Sequence, residues 1–212
     1  MSNLLNYEKK LYQEGITLIA GVDEVGRGPL VGPVVAAAVI LPIKYKLLGL
    51  TDSKKLTEKK RQEYYRKIME DAIAVGVGIV DAKKIDEINI LEASKLAMKI
   101  AVENLKVKPE FLLIDGNQKI DINLPFQTII KGDSLSLSIA AASVIAKVTR
   151  DSIMYELDHL YPEYEFASHK GYPTKKHLAN LEKYGPLDNY RFTFKPINVL
   201  IKKGDVSEGK VR

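Results

Sequence analysis

The chain has 212 residues, 46% hydrophobic and 28% charged, with 32 Lys and Arg against 27 Asp and Glu for a formal net charge of +5. That composition suits one large globular domain, or a core with an appendage, and the mild basic excess permits nucleic-acid binding without requiring it. There is no cysteine, which excludes disulfides, thiolate zinc sites and a cysteine nucleophile and agrees with a cytoplasmic protein; the polar start carries no signal-peptide core, and the longest apolar stretch, Pro33–Leu41, is far too short to cross a bilayer.

Met1–Gly15 predicts a short polar helix stopping at Gly15, and Ile16–Glu24 a first strand. Val34–Leu41, apolar throughout and valine-rich, predicts a buried second strand; the short Gly-Pro turn before it makes the pair a hairpin. Thr57 can cap a helix running to about Asp71, with Tyr64, Ile68 and Ala72 inward. Ala72–Val80 alternates Val and Gly and reads as a third strand. Asn89 and Glu92 have capping-box spacing and open a helix carrying Leu91, Leu96, Ile100 and Leu105, broken by Pro109. Phe111–Ile114 and Phe126–Ile130 are short strands that deliver Asp115 and, after Lys131-Gly132, Asp133. Ser134 to about Leu160 is a helix built on small residues, His177–Tyr184 another, and the tail from Lys202 is polar and frayed. Strands alternating with helices around a hairpin predict an α/β fold with a mixed sheet flanked by helices. Residues 1–160 would form the core, and 161–212 a small helical C-terminal appendage packed on it.

Asp23 and Glu24 are adjacent carboxylates where an apolar strand meets the turn Gly26-Arg27-Gly28. A charge leaving water needs a partner, and a divalent cation is a natural one for carboxylate oxygens. Neighbouring strand residues point to opposite faces. The two acids can therefore share one ion only if the strand is ending there, or if the backbone carbonyl of Glu24 is a ligand. Asp115 and Asp133 end two further strands, and ligands gather at strand ends in α/β sheets. Singly, Asp115 also fits a turn residue before Gly116 and Asp133 a helix cap. Together, four converging acids would repel one another, and two divalent ions about 4 Å apart would neutralise them and clamp a phosphodiester, one activating water and one stabilising the leaving 3′ oxygen. Ser53, Lys54, Lys147 and Arg150 are candidate phosphate contacts, Lys54 foremost because Asp52-Ser53 precede it at a helix entrance. Asp151 falls about 25 Å along a continuous helix from Asp133 and is excluded as a shared ligand. Ser143 with His159, His169 and His177 shows no triad pattern.

The blocks Gly21-Val22-Asp23-Glu24-Val25-Gly26-Arg27-Gly28-Pro29, Asp52-Ser53-Lys54-Lys55-Leu56, Ile114-Asp115-Gly116, Lys131-Gly132-Asp133, Ala140 to Asp151, and His169-Lys170-Gly171-Tyr172-Pro173-Thr174 occur in this order across most of the chain. In this the sequence resembles the ribonuclease HII (type 2 ribonuclease H) family. The resemblance implies a ribonuclease H-like fold, catalytic and metal-binding acids at Asp23, Glu24, Asp115 and Asp133, and Mn²⁺ or Mg²⁺ as cofactor. Asp23, Glu24 and Asp115 would be the main ligands, with Asp133 holding the second metal or positioning water. It implies cleavage of RNA in RNA–DNA hybrids and 5′ of single ribonucleotides in duplex DNA, leaving 3′-hydroxyl and 5′-phosphate ends, as ribonucleotide excision repair requires. The 2′-hydroxyl is what separates RNA from DNA; Gly26, Arg27 and Gly28 supply bare backbone to read it, and Tyr172 would stack on the deoxyribose just 3′ of the ribonucleotide. Nothing demands more than a monomer, no membrane is implied, and protein partners are open. Alternatives are a ribonuclease HIII-like hybrid nuclease, disfavoured because about twenty residues precede Asp23, and a non-catalytic nucleic-acid-binding module, disfavoured by four acids beside a phosphate path. A small-molecule phosphatase would not need the Gly-Arg-Gly and Tyr172 set.

Overall fold

The structure is a computed structural model and describes residues 4–47, 49–50 and 53–202. Asp52 and the tail beyond Lys202 lie outside them. Its centre is one five-stranded sheet: β1 (Ile19–Val25), β2 (Val34–Ile40), β3 (Ala74–Val80), β4 (Phe111–Asp115) and β5 (Phe126–Ile129), in the order β3-β2-β1-β4-β5. β1 and β2 form the expected antiparallel hairpin, β3 extends it antiparallel, and β4 and β5 run parallel to β1. β1 is therefore central, with β4 at its side.

Helices cover both faces. α1 (Asn6–Gln13), α2 (Glu58–Asp71), α3 (Ala82–Glu103) and α4 (Leu137–Leu160) belong to the sheet, while α5 (Phe166–His169), α6 (Lys175–Tyr184) and α7 (Ile197–Lys202) follow it. Strand alternation sorts the core. Ala20, Val22, Ala36 and Ala38 meet Ala93 and Ala97 of α3. Val35, Ala37 and Val39 meet Ala140, Ala141 and Val144 of α4 on the other face. The small residues matter because these helices lie almost on the strand backbones. A Cβ at Gly21 would sit 2.0 Å from the Ser138 carbonyl carbon of α4, and one at Gly78 would sit 2.0 Å from the Ala97 oxygen of α3. The glycines interrupting β3 are thus contact points for α3, which is why a strand tolerates them.

Several boundaries differ from expectation for local reasons. Thr57 caps α2 as predicted. α3, however, begins at Asp81, whose side chain accepts from the Lys84 amide, and continues across a kink at Asn89 (φ 67°). Asn89 does accept from the Leu91 and Glu92 amides, so the predicted cap exists inside a longer kinked helix. α4 starts at Leu137 with Ser136 as its cap, because residues 132–134 form a separate 3-10 turn. Glu8 of α1 latches that junction, accepting from the Ser136 and Ser138 hydroxyls at 2.6 Å each and from the Ser138 amide.

The segment from residue 161 shares a core with the earlier chain: Tyr164, Phe166, Leu181 and Tyr190 pack with Leu30, Val31 and Met154. The loop between β1 and β2 is therefore held by the appendage.

Overpacking at a helix–strand contact costs about 1–3 kcal/mol or more. Gly21→Ala should lower the unfolding free energy by at least that much, and Gly78→Ala comparably. Chemical denaturation checks this; a Gly21→Ala protein as stable as the parent would contradict the close α4 approach.

Candidate active site

β1 runs through both acids to Val25, which pairs with Val35. Asp23 and Glu24 consequently face opposite sides of the sheet. Asp23 lies on the α4 side with 5% of its surface exposed. There it meets Asp115 from the end of β4 and Asp133 from the 3-10 turn after β5: one oxygen of each lies within 4.8 Å of the others. Glu24 turns to the α3 side, where Arg27 Nη1 approaches its Oε1 at 3.4 Å. Asp115 reaches both groups, since it also lines a cavity of about 140 Å³ with Glu24, Arg27 and Ser94. Ser94, Lys95, Asn117 and Gln118 on that cavity wall were not singled out from the sequence; only the Asn-Gln pair directly after Asp115-Gly116 hinted at them.

Backbone amides donate to two of the acids. The Glu24 amide donates to Asp23 Oδ1 at 2.8 Å, and the Gly132 amide to Asp115 Oδ1 at 2.6 Å. The Ser143 hydroxyl on α4 favours the ionised form of Asp23. Its oxygen lies 2.9 Å from that of Ser53, and either hydroxyl can be the donor. This local support does not offset the crowding. Burial first, then the charges of Glu24 and Asp115, hold the Asp23 carboxyl well above its usual range. Burial also raises Glu24, against the lowering influence of Arg27. Clustered, desolvated, hard oxygen donors fit a divalent cation such as Mg²⁺ or Mn²⁺.

The remaining predicted residues divide. Gly26, Arg27 and Gly28 follow the acids directly, and Tyr172, 40% exposed, lies over Gly28: a Cβ there would be 3.4 Å from the Tyr172 ring. The Leu30 amide donates to the Gly171 carbonyl, which ties the two turns together. His177 donates from Nδ1 to the Tyr172 carbonyl and accepts from Tyr190 at Nε2, and its ring stacks on His169 at 4.1 Å. Burial lowers His177 to about 4, so the stack is neutral at ordinary pH and supports the Tyr172 turn.

Lys54 is exposed on the 3-10 turn before α2. Three candidate phosphate contacts are corrected. Arg150 is fully buried, and its guanidinium donates to the carbonyls of Val31, Pro33 and Lys170. Ser53 is buried, with its hydroxyl committed to Ser143. Lys147 is mostly covered and paired with Asp151 at 2.7 Å. Helix position alone made these side chains seem available; their tertiary partners remove them from phosphate.

A mixed sheet with carboxylates gathered around its central strand ends is the framework of a metal-dependent ribonuclease H-like hydrolase. The family model of ribonuclease HII matches residues 20–197, and the chain belongs to that family. Among solved structures, the ribonuclease H2 of Pyrococcus horikoshii OT3 superposes with a TM-score of 0.74 at 28% identity, over 87% of this chain and 97% of that one. The ribonuclease HII of Archaeoglobus fulgidus, solved as a complex with PCNA, gives 0.72 at 26% identity, over 84% and 95%. Bst ribonuclease HIII in complex with Mn²⁺ gives 0.65 at 20% identity, over 91% and 71%, a likeness of fold. Family membership supports a metal-dependent ribonuclease H over a non-catalytic module. Among the described residues, no helix is long and apolar enough to cross a membrane.

The raised Asp23 and Glu24 values mean that the metal-free fold binds protons the unfolded chain has released, so these groups lower stability as pH rises through their folded-state pKa values. Divalent ions relieve that repulsion and compete with the same protons. Mg²⁺ or Mn²⁺ should therefore raise Tm more at pH 8 than at pH 5. Asp23→Asn should raise the metal-free Tm at pH 8 by a few degrees and abolish most of the metal-induced rise. Differential scanning calorimetry checks both, and a metal response unchanged in Asp23→Asn would contradict the cluster as the binding site.

Proposed function

We propose that the chain is an endoribonuclease that cuts the RNA strand of RNA–DNA hybrids and cuts 5′ of single ribonucleotides embedded in duplex DNA, leaving 3′-hydroxyl and 5′-phosphate ends. The observation that carries this reading is the juxtaposition of the Asp23–Asp115–Asp133 cluster with a bare Gly26-Arg27-Gly28 backbone under the Tyr172 ring. The first part suits phosphodiester hydrolysis; the second suits reading a sugar edge at the scissile position.

In this reading Asp23, Asp115 and Asp133, with Glu24 at the rim beside Asp115, hold Mn²⁺ or Mg²⁺. Cations bound there supply charge neutralisation of the scissile phosphate and activation of the attacking water. The Glu24 amide keeps Asp23 oriented in the cluster, the Gly132 amide does the same for Asp115, and the Ser143 hydroxyl favours an ionised Asp23. Arg27, whose side chain is 47% exposed, contacts phosphate, since its fork is accessible where that of Arg150 is not. Lys54 adds a phosphate contact from the α2 entrance. The Gly26–Gly28 backbone reads the 2′-hydroxyl, and Tyr172 stacks on the sugar 3′ of it. The segment from residue 161 acts as the substrate-binding appendage of the 1–160 core, a role supported by its hold on the β1–β2 loop. All four acids come from one chain, which suits a monomer. Ribonucleotide excision repair in the cytoplasm is the setting we assign.

Asp115→Asn should reduce cleavage by about a hundredfold or more while hybrid affinity stays within a few-fold, because phosphate contacts supply most of the affinity. Single-turnover assays with products mapped at nucleotide resolution check this. Undiminished turnover in Asp115→Asn would overturn the metal assignment. Tyr172→Ala should hurt cleavage at a single embedded ribonucleotide more than binding to plain duplex DNA; equal losses on both substrates would return Tyr172 to a turn aromatic with no sensing role.

A further inference from the structure

We propose that Arg191 is a positioning residue for ribose reading: from inside the fold it turns the Gly26 and Arg27 carbonyls inward, so that the amides of Arg27 and Gly28 face the substrate. This rests on the reading above that the Gly26–Gly28 backbone meets the 2′-hydroxyl.

Arg191 is fully buried. Its Nη2 donates to the Gly26 carbonyl at 2.6 Å, its Nη1 to the Arg27 carbonyl at 3.0 Å, and its Nε to the Gly32 carbonyl at 3.0 Å. Its own amide donates to the Leu30 carbonyl at 2.8 Å. Among the described residues it forms no ion pair with a carboxylate. One guanidinium thus holds both ends of the β1–β2 loop through peptide oxygens alone.

The consequence follows from peptide geometry. In a planar trans peptide the C=O and the following N–H point in opposite directions. With the Gly26 carbonyl drawn inward, the Arg27 N–H faces outward; with the Arg27 carbonyl drawn inward, so does the Gly28 N–H. The Gly26 backbone has φ +96°, and a Cβ there would lie 2.3 Å from Arg150 Nε, so only glycine lets the first peptide take this orientation. The Tyr172 ring lies beside this backbone, 3.4 Å from where a Cβ at Gly28 would be.

A neutral donor could hold a loop shape, and burying an unpaired cation is costly. The guanidinium provides something more. A charged donor makes a stronger bond to a carbonyl and polarises the peptide, which makes the N–H on its far side a better donor. Arg150 shows the contrast: it supports the Val31, Pro33 and Lys170 carbonyls but neither of the Gly26 and Arg27 carbonyls.

The test measures affinity for a duplex with one ribonucleotide and for the same duplex in DNA throughout, in an Asp115→Asn background so that neither is cut. Arg191→Gln should reduce the ribose preference by about tenfold, the size expected for losing one or two oriented hydrogen bonds, while all-DNA affinity stays within twofold. Arg191→Lys, which returns the charge without the fork, should lose a few-fold and serves where Arg191→Gln folds poorly. Ile68→Ala, a buried truncation on α2, controls for instability and should keep the full preference. A wild-type preference in the folded Arg191 variants, or an equal loss in Ile68→Ala, overturns the proposal. An Asp115→Asn parent with no ribose preference removes the reading of Gly26–Gly28 itself, and the proposal with it.

Discussion

The mutual repulsion of Asp23, Glu24 and Asp115 is the constraint on which the rest of the structure depends. β1 and β4 are hydrogen-bonded parallel neighbours, so the acids that end them are held close by the backbone. The fold offsets this from several sides. Glycine at position 21 lets α4 settle against β1, which brings the Ser143 hydroxyl to Asp23. The Gly132 amide steadies Asp115, and the Glu8 latch at the α4 N-terminus anchors the turn that carries Asp133. A cation held there would relieve the repulsion that remains, so that part of the fold's potential stability is given up for affinity at the site.

The buried cations are treated in the opposite way. Arg150 and Arg191 hold the loop that follows Asp23 and Glu24 in the chain, yet donate to carbonyls and to no carboxylate among the described residues. Burial, then the nearby Arg150 charge, pulls the Arg191 guanidinium below its usual range. Direct pairing of these arginines with the acid cluster would satisfy both at once and leave neither usable. Keeping them apart preserves a site hungry for divalent ions beside a loop whose amides face outward. Glu24 and Arg27 do meet, at the rim, where the arginine is half exposed and can exchange partners.

Much of this was legible in the sequence. The hairpin, the Thr57 cap and the segments that carry the four acids are encoded locally, by apolar runs, turn residues and capping patterns. What was not legible depended on pairing across the fold. The strand continues past Glu24 because Val25 pairs with Val35, and that single residue puts the two acids on opposite faces. Arg150 read as a surface cation because helix periodicity cannot reveal the carbonyls of residues 31, 33 and 170. Arg191 escaped attention within Tyr190-Arg191-Phe192-Thr193-Phe194, where a charge flanked by aromatics was the available sign of burial. The early start of α3 was hidden because two helical segments join at Asn89 without a loop.

The central claim, that crowded acids make this a divalent-cation site, is tested most directly by titration calorimetry with Mn²⁺ at a series of pH values in two buffers of different ionisation enthalpy. The account predicts binding accompanied by proton release over the range where Asp23 titrates, with both lost in Asp23→Asn. Binding without proton release at any of these pH values, or binding that survives Asp23→Asn unchanged, would contradict it.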